Sequence, residues 1–210
     1  MKKQSEVKEK IIQAATGLIS ESEGNVADIS TRAIAERAGV GIGLINYHFQ
    51  TKDHLIEICV ERIIENEISS FRPEIPATGQ SPVKKLKIIA QQVADFLTAN
   101  PAVSRISILS DHRNPQLTDN TMKSVMGAKS VINDLSLPVE KQTLLAFVLI
   151  SAMQALFLRK DQSRDLFGYD INIKKERDEV LDLVIEALFE NVTDAGVNEP
   201  KKVLPRGNEQ

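Results

Sequence analysis

Cysteine is almost missing from this 210-residue chain. Cys59 stands alone, which excludes an internal disulfide framework and a cysteine-based zinc site. Tryptophan is absent and aromatic residues make up only 4%, which argues against an aromatic cage for a cationic ligand. The three histidines, His48, His54 and His112, never fall at ligand spacing on one element, so no metal site or other cofactor is expected. Positive charge is not in excess either. The formal net charge is −3, so no overall basic field announces a polyanionic partner. The longest apolar run, residues 144 to 150, is far short of a membrane span, and the start at Met1-Lys2-Lys3 has no apolar signal core. A cytoplasmic protein without a membrane partner is expected. Alternating strand patterns, internal repeats and low-complexity tracts are lacking as well.

Helical periodicity is what remains. Val7, Ile11, Ala15, Leu18 and Ile19 form one apolar stripe, and Glu23-Gly24-Asn25 ends it. Ser30 reads as the N-cap of a short helix over residues 31–38. Gly39-Val40-Gly41 breaks that helix and another runs to Phe49. Thr51 caps a fourth, which carries Leu55, Ile56, Cys59, Ile63 and Ile64 on one side. Residues 71–82 hold three prolines and a glycine and read as a connector. Helical periodicity resumes over 83–99, 101–109 and 117–135. It continues from Pro138 through the densely apolar 144–158, and again over 174–192. Residues 159–173 read as a polar loop and 194–210 as a disordered tail. The chain is therefore predicted to be all-α, with about nine helices.

One stretch carries more than periodicity. Counted from Thr31, Ala35, Gly39 and Ile45 occupy positions that a helix-turn-helix constrains. The residue at Ala35 must be small where the second helix crosses it. Gly39 takes a positive φ that costs little only without a Cβ. Ile45 faces inward with Ile34 and Val40. Gly41, Ile42, Leu44, Asn46, Tyr47 and His48 are left to face outward. Exposed apolar side chains on a solvated helix are wasteful, but in a major groove they meet thymine methyls.

The run from Ser30 to Val40, followed by Asn46-Tyr47-His48-Phe49 and Lys52, resembles the TetR (TetR/AcrR) family of bacterial transcriptional regulators. The resemblance covers residues 7–60 and is specific there. Beyond them the chain is similar only in length and helical character. It implies an N-terminal three-helix DNA-binding domain at residues 1–52, a connecting helix at 53–70, and a ligand-binding and dimerisation domain at 71–193. Carried over by position, Thr31 and Arg32 would meet phosphate and backbone or guanine. Tyr47 and His48 would bond phosphate oxygens, and Lys52 would hold a phosphate at a helix N-terminus. Asn46 stands where the family usually has an aromatic residue and suits a bidentate bond to adenine. Ile42 and Leu44 replace the polar residues common there, so base preference is not inherited from relatives. The alternative for Arg32 is an ordinary solvated helix charge, for His48 a surface histidine without a role, and for Cys59 an inert thiol.

Residues 1–70 carry eight basic against eleven acidic side chains. A DNA-reading half of that balance must cluster its cations, namely Lys2, Lys3, Lys8, Lys10, Arg32 and Lys52. It must also turn Glu57, Glu61, Glu65 and Glu67 away from the duplex. A modest salt dependence is expected.

A lone helix-turn-helix contacts too little DNA for useful specificity, so a homodimer reading a palindromic operator is expected. The last helix carries two apolar stripes, one through Val180, Leu183, Val184 and Leu188, the other through Leu181, Ile185 and Phe189. We assign Leu181, Ile185 and Phe189, with Leu145 and Leu149 of the preceding helix, to a four-helix dimer seam. The family resemblance further implies a small-molecule effector among the middle helices. Candidate pocket residues are Phe96, Arg105, His112, Met122, Met126, Met153 and Phe157, each of which also suits plain core. The expected function is a homodimeric repressor released from its operator by that effector. The alternative is a helical adaptor that has lost sequence-specific DNA binding. No Ser/His/Asp grouping, phosphate loop or paired carboxylates argue for an enzyme. Gly39-Val40-Gly41 lacks the preceding strand of a dinucleotide fingerprint.

Overall fold

The computed structural model describes the backbone over residues 2–70 and 79–194, and side chains over 4–66 and 79–189. Ten α-helices and no strands lie among the described residues. They are α1 (Lys2–Glu21), α2 (Thr31–Ala38), α3 (Ile42–Phe49), α4 (Lys52–Ser70), α5 (Pro82–Ala99), α6 (Pro101–Arg113), α7 (Asn120–Val131), α8 (Val139–Leu158), α9 (Ser163–Phe167) and α10 (Lys174–Asp194). The all-α expectation holds. Most of the proline-rich connector and the tail past Asp194 lie outside the described residues, as do the side chains of Lys2, Lys3 and Glu67.

Two apolar cores organise the chain. The first joins Ile11, Ala15 and Ile19 of α1 to Ile34 and Ala35 of α2, Ile45 and Phe49 of α3, and Leu55, Ile56 and Cys59 of α4. Val103 and Ile106 of α6 complete it, so α6 is plugged into the N-terminal head. The second core gathers Leu86, Ala90 and Ala94 of α5, Val125 and Ala128 of α7, Ala146, Leu149, Ile150 and Met153 of α8, and Leu181, Ile185 and Phe189 of α10. Ion pairs fasten α5 to α10 at the rim of that core. Lys174 bonds Asp95 at 2.7 Å, the buried Arg177 bonds the same carboxylate, and Lys87 bonds Glu186. Burial alone would push the Asp95 carboxyl up, but the hydrogen bonds and charges of Lys174 and Arg177 together outweigh it and hold it below the usual carboxylate range.

The helix α8 is long and apolar enough to cross a membrane by length and composition. Here it is a core helix: Ala146, Leu149, Met153 and Phe157 are buried, and so are Gln142 and Gln154.

Three expectations need correction. The helix expected over 117–135 is shorter at both ends. Asp119 starts it by accepting from the backbone N–H groups of Met122 and Gln116, at 2.8 and 2.9 Å. At the other end the Gln142 amide donates to the Leu135 and Leu137 carbonyls, both at 3.2 Å, and holds the chain in a turn. The segment expected as a polar loop, 159–173, contains α9 and a 3₁₀ turn at Lys160–Gln162. The buried Ser163 hydroxyl orders it, donating to the Lys160 carbonyl at 2.6 Å and accepting from the Ile171 N–H at 3.0 Å.

The third correction concerns the dimer seam. Leu149, Leu181, Ile185 and Phe189 are buried in the chain's own core, and Leu145 is half-buried against it. The first four have no surface left to offer a partner. Among the described residues, the large apolar side chains that α8 and α10 turn outward are Val139 (58% exposed), Leu144 (59%), Phe147 (46%), Val148 and Leu183 (53%).

Candidate nucleic-acid interface

The geometry of the head begins with capping. The Ser30 hydroxyl accepts from the Ala33 N–H at 3.0 Å and starts α2. Gly39 ends it at φ 65°, in the left-handed region. Its N–H reaches the Glu36 carbonyl at 3.2 Å and the Val40 N–H reaches Ala35 at 3.0 Å, the paired bonds of a Schellman turn. That turn launches α3 at a fixed angle. Ile45 and Phe49 anchor α3 in the head core, both fully buried.

The opposite face of α3 is open. Ile42 is 46% exposed, Leu44 41% and Tyr47 69%, and Gly41 and Asn46 are exposed with them. His48 is half-buried; its ring meets Tyr47 edge to face at 5.0 Å and leans on Phe49 at 6.1 Å. The outward set expected from the sequence is therefore one contiguous surface. Gly43 belongs to it and was missed by sequence reasoning. No atom lies within 4 Å of where a Cβ would stand at Gly41 or Gly43. Backbone can thus approach a groove closely at both positions. A glycine capping α3 and a second one two residues on, inside its first turn, were the available signal.

The cations are placed unevenly. Arg32 is exposed and pairs with Glu36 at 2.9 Å, one turn along α2. Thr31 beside it is half-buried. Lys52 opens α4, and its ammonium donates to the Val26 carbonyl at 2.8 Å. Two of its three donors remain. Lys8 of α1 lies over the Phe49 ring at 5.7 Å, which places a cation beside the end of α3. Arg37 is not available: it grips Glu21 of α1 through two bonds of 2.6 and 2.7 Å, lying across Gly17, where a Cβ would touch it. The turn from α3 to α4 passes through Gln50 at φ 65°, with the Thr51 N–H bonded to the Phe49 carbonyl at 2.7 Å. This is a tight γ-turn in a region that side chains rarely adopt, and it sets the start of α4 beside the end of α3. Thr51 caps α4 by accepting from the His54 N–H at 3.1 Å. Cys59 is buried with its thiol toward the Ile12 carbonyl at 3.6 Å, and burial pushes the thiol up, as an inert core group requires.

Two acidic residues of α4 face a cleft away from α3. Glu57 and Glu61 line a cleft of about 270 Å³ between α4, α6 and the start of α7. The residues expected to form an effector pocket are not brought together. Arg105 and His112 are exposed, and the His112 ring Nδ1 sits 2.9 Å from the Ile108 carbonyl of its own helix. Met126 is exposed, Met122 half-buried, and Phe96 packs against the head core. Met153 and Phe157 are buried and line only a void of about 10 Å³ below α5. Helical periodicity shows which face of each helix turns inward but not which inward faces meet.

Comparison with known proteins agrees with this geometry. Residues 11–59 match the family described as "Bacterial regulatory proteins, tetR family". Nucleoid occlusion factor SlmA of Vibrio vulnificus (strain YJ016) is 25% identical over 175 residues, 76% of this chain and 87% of that protein. The HTH-type transcriptional repressor KstR of Rhodococcus jostii (strain RHA1) is 29% identical over 101 residues, 48% of this chain and 45% of KstR. In fold, the chain is similar to a TetR variant of Acinetobacter baumannii AYE solved in complex with minocycline. The TM-score is 0.61 and the identity 17%, over 96% of this chain and 99% of that one. Residues 11–59 thus carry the DNA-binding domain of the TetR family of bacterial regulators, and the chain as a whole shares that family's helical fold.

Proposed function

We propose that the chain is a homodimeric transcriptional repressor that binds a palindromic operator and is released by a small-molecule effector. The observation that carries the DNA-reading part is the outward face of α3, where Ile42, Leu44, Asn46 and Tyr47 stand exposed on a helix whose angle is fixed by the Gly39 turn. In this reading Gly41, Ile42, Leu44 and Asn46 face base edges, while Thr31, Arg32, Tyr47, His48 and Lys52 hold phosphates. The head, residues 1–52, works as the reader, α4 connects it to the body, and residues 71–193 form the dimerisation and effector-binding part. The chain acts in the cytoplasm as a binding protein and not as an enzyme. Dimerisation uses the outward residues of α8 and α10, Leu144, Phe147, Val148 and Leu183, because an apolar stripe of that kind is costly to leave in water. KstR is a transcriptional repressor and the Acinetobacter protein binds minocycline, which together support repression relieved by a ligand.

Selection of DNA from a genomic pool by the purified chain, followed by sequencing, tests the reading. An enriched palindrome protected by a dimer is expected. Absence of any enriched sequence from a folded dimer would overturn it. That outcome would favour the second reading, a helical adaptor, which the acidic balance of residues 1–70 and the similarity to SlmA, a nucleoid occlusion factor, support.

A further inference from the structure

Gly41, Ile42, Gly43, Leu44, Asn46 and Tyr47 make the exposed face of α3 and its cap, and between them they carry one amide, one phenol and no charge. Guanine is read by an arginine or lysine donating to O6 and N7, and cytosine by a carboxylate accepting from N4. Neither type stands on this face. Arg32, Arg37 and Lys52 belong to other helices and are engaged there by Glu36, Glu21 and the Val26 carbonyl. His48 is half-buried and leans on Phe49.

Ile42, Gly43 and Leu44 form the first turn of α3, and the first residues of a recognition helix are the ones that meet base edges. At about 100° per residue, Ile42 and Leu44 stand about 200° apart, on opposite flanks of the tip. Gly43 between them projects no side chain, and open space surrounds the place of its missing Cβ. The two aliphatic groups can therefore straddle a base edge and reach both strands. Asn46 follows Ile42 by one turn on the same flank. In the major groove a base pair offers one sizeable apolar group, the thymine C5 methyl; the rest are hydrogen-bond donors and acceptors. An isoleucine or leucine pressed on a G·C edge leaves N7, O6 and N4 dry and without partners, a cost that contact with a methyl avoids.

We infer that α3 is a methyl reader: each half-site presents pyrimidine C5 methyls on both strands to Ile42 and Leu44 and an adenine to Asn46, and α3 reads no guanine. The inference rests on the DNA-binding reading above and names the bases that reading leaves open. The charge balance agrees with it. Residues 1–70 hold eight basic against eleven acidic side chains, so phosphate contacts supply less of the affinity and apolar contact must supply more. Because the deciding atom is a methyl on C5, 5-methylcytosine can stand in for thymine at these positions, and operator binding responds to cytosine methylation there.

The test selects duplexes with the full chain from a random pool, sequences them, and remakes the enriched site with uracil in place of thymine. The core of the half-site should consist of A·T pairs. Each methyl removed should weaken binding roughly three- to fourfold, and removal of all of them at least tenfold. Replacing a contacted thymine by cytosine should weaken binding further, and 5-methylcytosine at that position should recover the factor owed to the methyl. Ile42→Ala with Leu44→Ala changes only exposed positions and should bind the thymine and uracil sites equally. The uracil comparison needs no variant, so it decides the matter even if that chain fails to fold. A penalty for uracil that persists undiminished in the folded double variant would trace it to DNA shape and overturn direct contact. An enriched palindrome bound equally with thymine and uracil removes the methyl reader and leaves the repressor. A methyl-dependent site without palindromic symmetry keeps the methyl reader and removes the homodimeric repressor. A pool from which nothing is enriched removes both.

Discussion

Lys52, the first residue of α4, donates its ammonium to the carbonyl of Val26 at 2.8 Å, across 26 residues of sequence. The bond ties the helix that follows the recognition helix to the 3₁₀ turn at Val26–Asp28, which leads into α2. One side chain therefore spans the helix-turn-helix from behind while keeping two donors for a ligand. This gives Lys52 a part in holding the head together besides the phosphate contact assigned to it.

The two roles separate in Lys52→Gln, whose amide still reaches a carbonyl but carries no charge. Thermal stability should change by no more than about 0.5 kcal/mol. Operator affinity should fall, and the slope of log affinity against log salt should shrink by about one. An unchanged slope would leave Lys52 with the structural role alone.

Arg32 is held only by an exposed pair with Glu36, and pairs of that kind contribute about 0.3–0.5 kcal/mol. Arg32→Ala should accordingly leave folding intact while weakening specific DNA binding by about 1–3 kcal/mol. Glu36→Gln frees the guanidinium and should bind as tightly as the parent or more so. Fluorescence titration of an operator duplex measures both. Equal affinity of the Arg32→Ala chain and the parent would assign Arg32 to the solvated surface.

The two stripes of α10 predict opposite phenotypes. Phe147→Glu with Leu183→Glu changes only outward positions and should give folded monomers by sedimentation velocity. Ile185→Glu places a charge at a fully buried site, which costs several kcal/mol, and should give unfolded chains by circular dichroism. A stable dimer carrying both outward glutamates would move the seam away from this face.

Asp95 predicts how the body meets acid. Its carboxyl is held low in the folded chain by Lys174 and Arg177 against the opposing effect of burial. The stability it contributes is therefore fully present above the ordinary aspartate value of about 3.9 and is lost as the pH falls through the lowered folded value. Asp95→Ala leaves a buried arginine donor unpaired and should cost on the order of 1–3 kcal/mol at neutral pH. Urea titrations of both chains should converge as the pH drops below 4. A gap that stays constant with pH would mean that packing, not charge, is what Asp95 supplies.

The head was legible because its constraints are local. A cap at Ser30, a glycine where φ must be positive and an inward Ile45 follow from positions within twenty residues, and each is found as expected. The outward surface of α3 follows by subtraction. The body was legible only as helices. Leu181 and Leu183 differ by two positions on one helix, and nothing in the sequence says which is inward. Packing against α5 and α8 decides it. The expected effector residues were not legible as a site for the same reason, since Arg105, Met122 and Phe157 sit on three different helices whose packing no local pattern fixes.

By itself, the sequence determined that the chain is helical, where the reading head lies and which way its recognition helix faces. Those depend on backbone conformation and on period, which neighbours in sequence fix. Only the tertiary structure decided which apolar stripe remains for a partner, that Lys52 braces Val26, and that α4, α6 and α7 enclose a polar cleft. Each depends on contacts between residues far apart along the chain, and those exist only once the helices have packed.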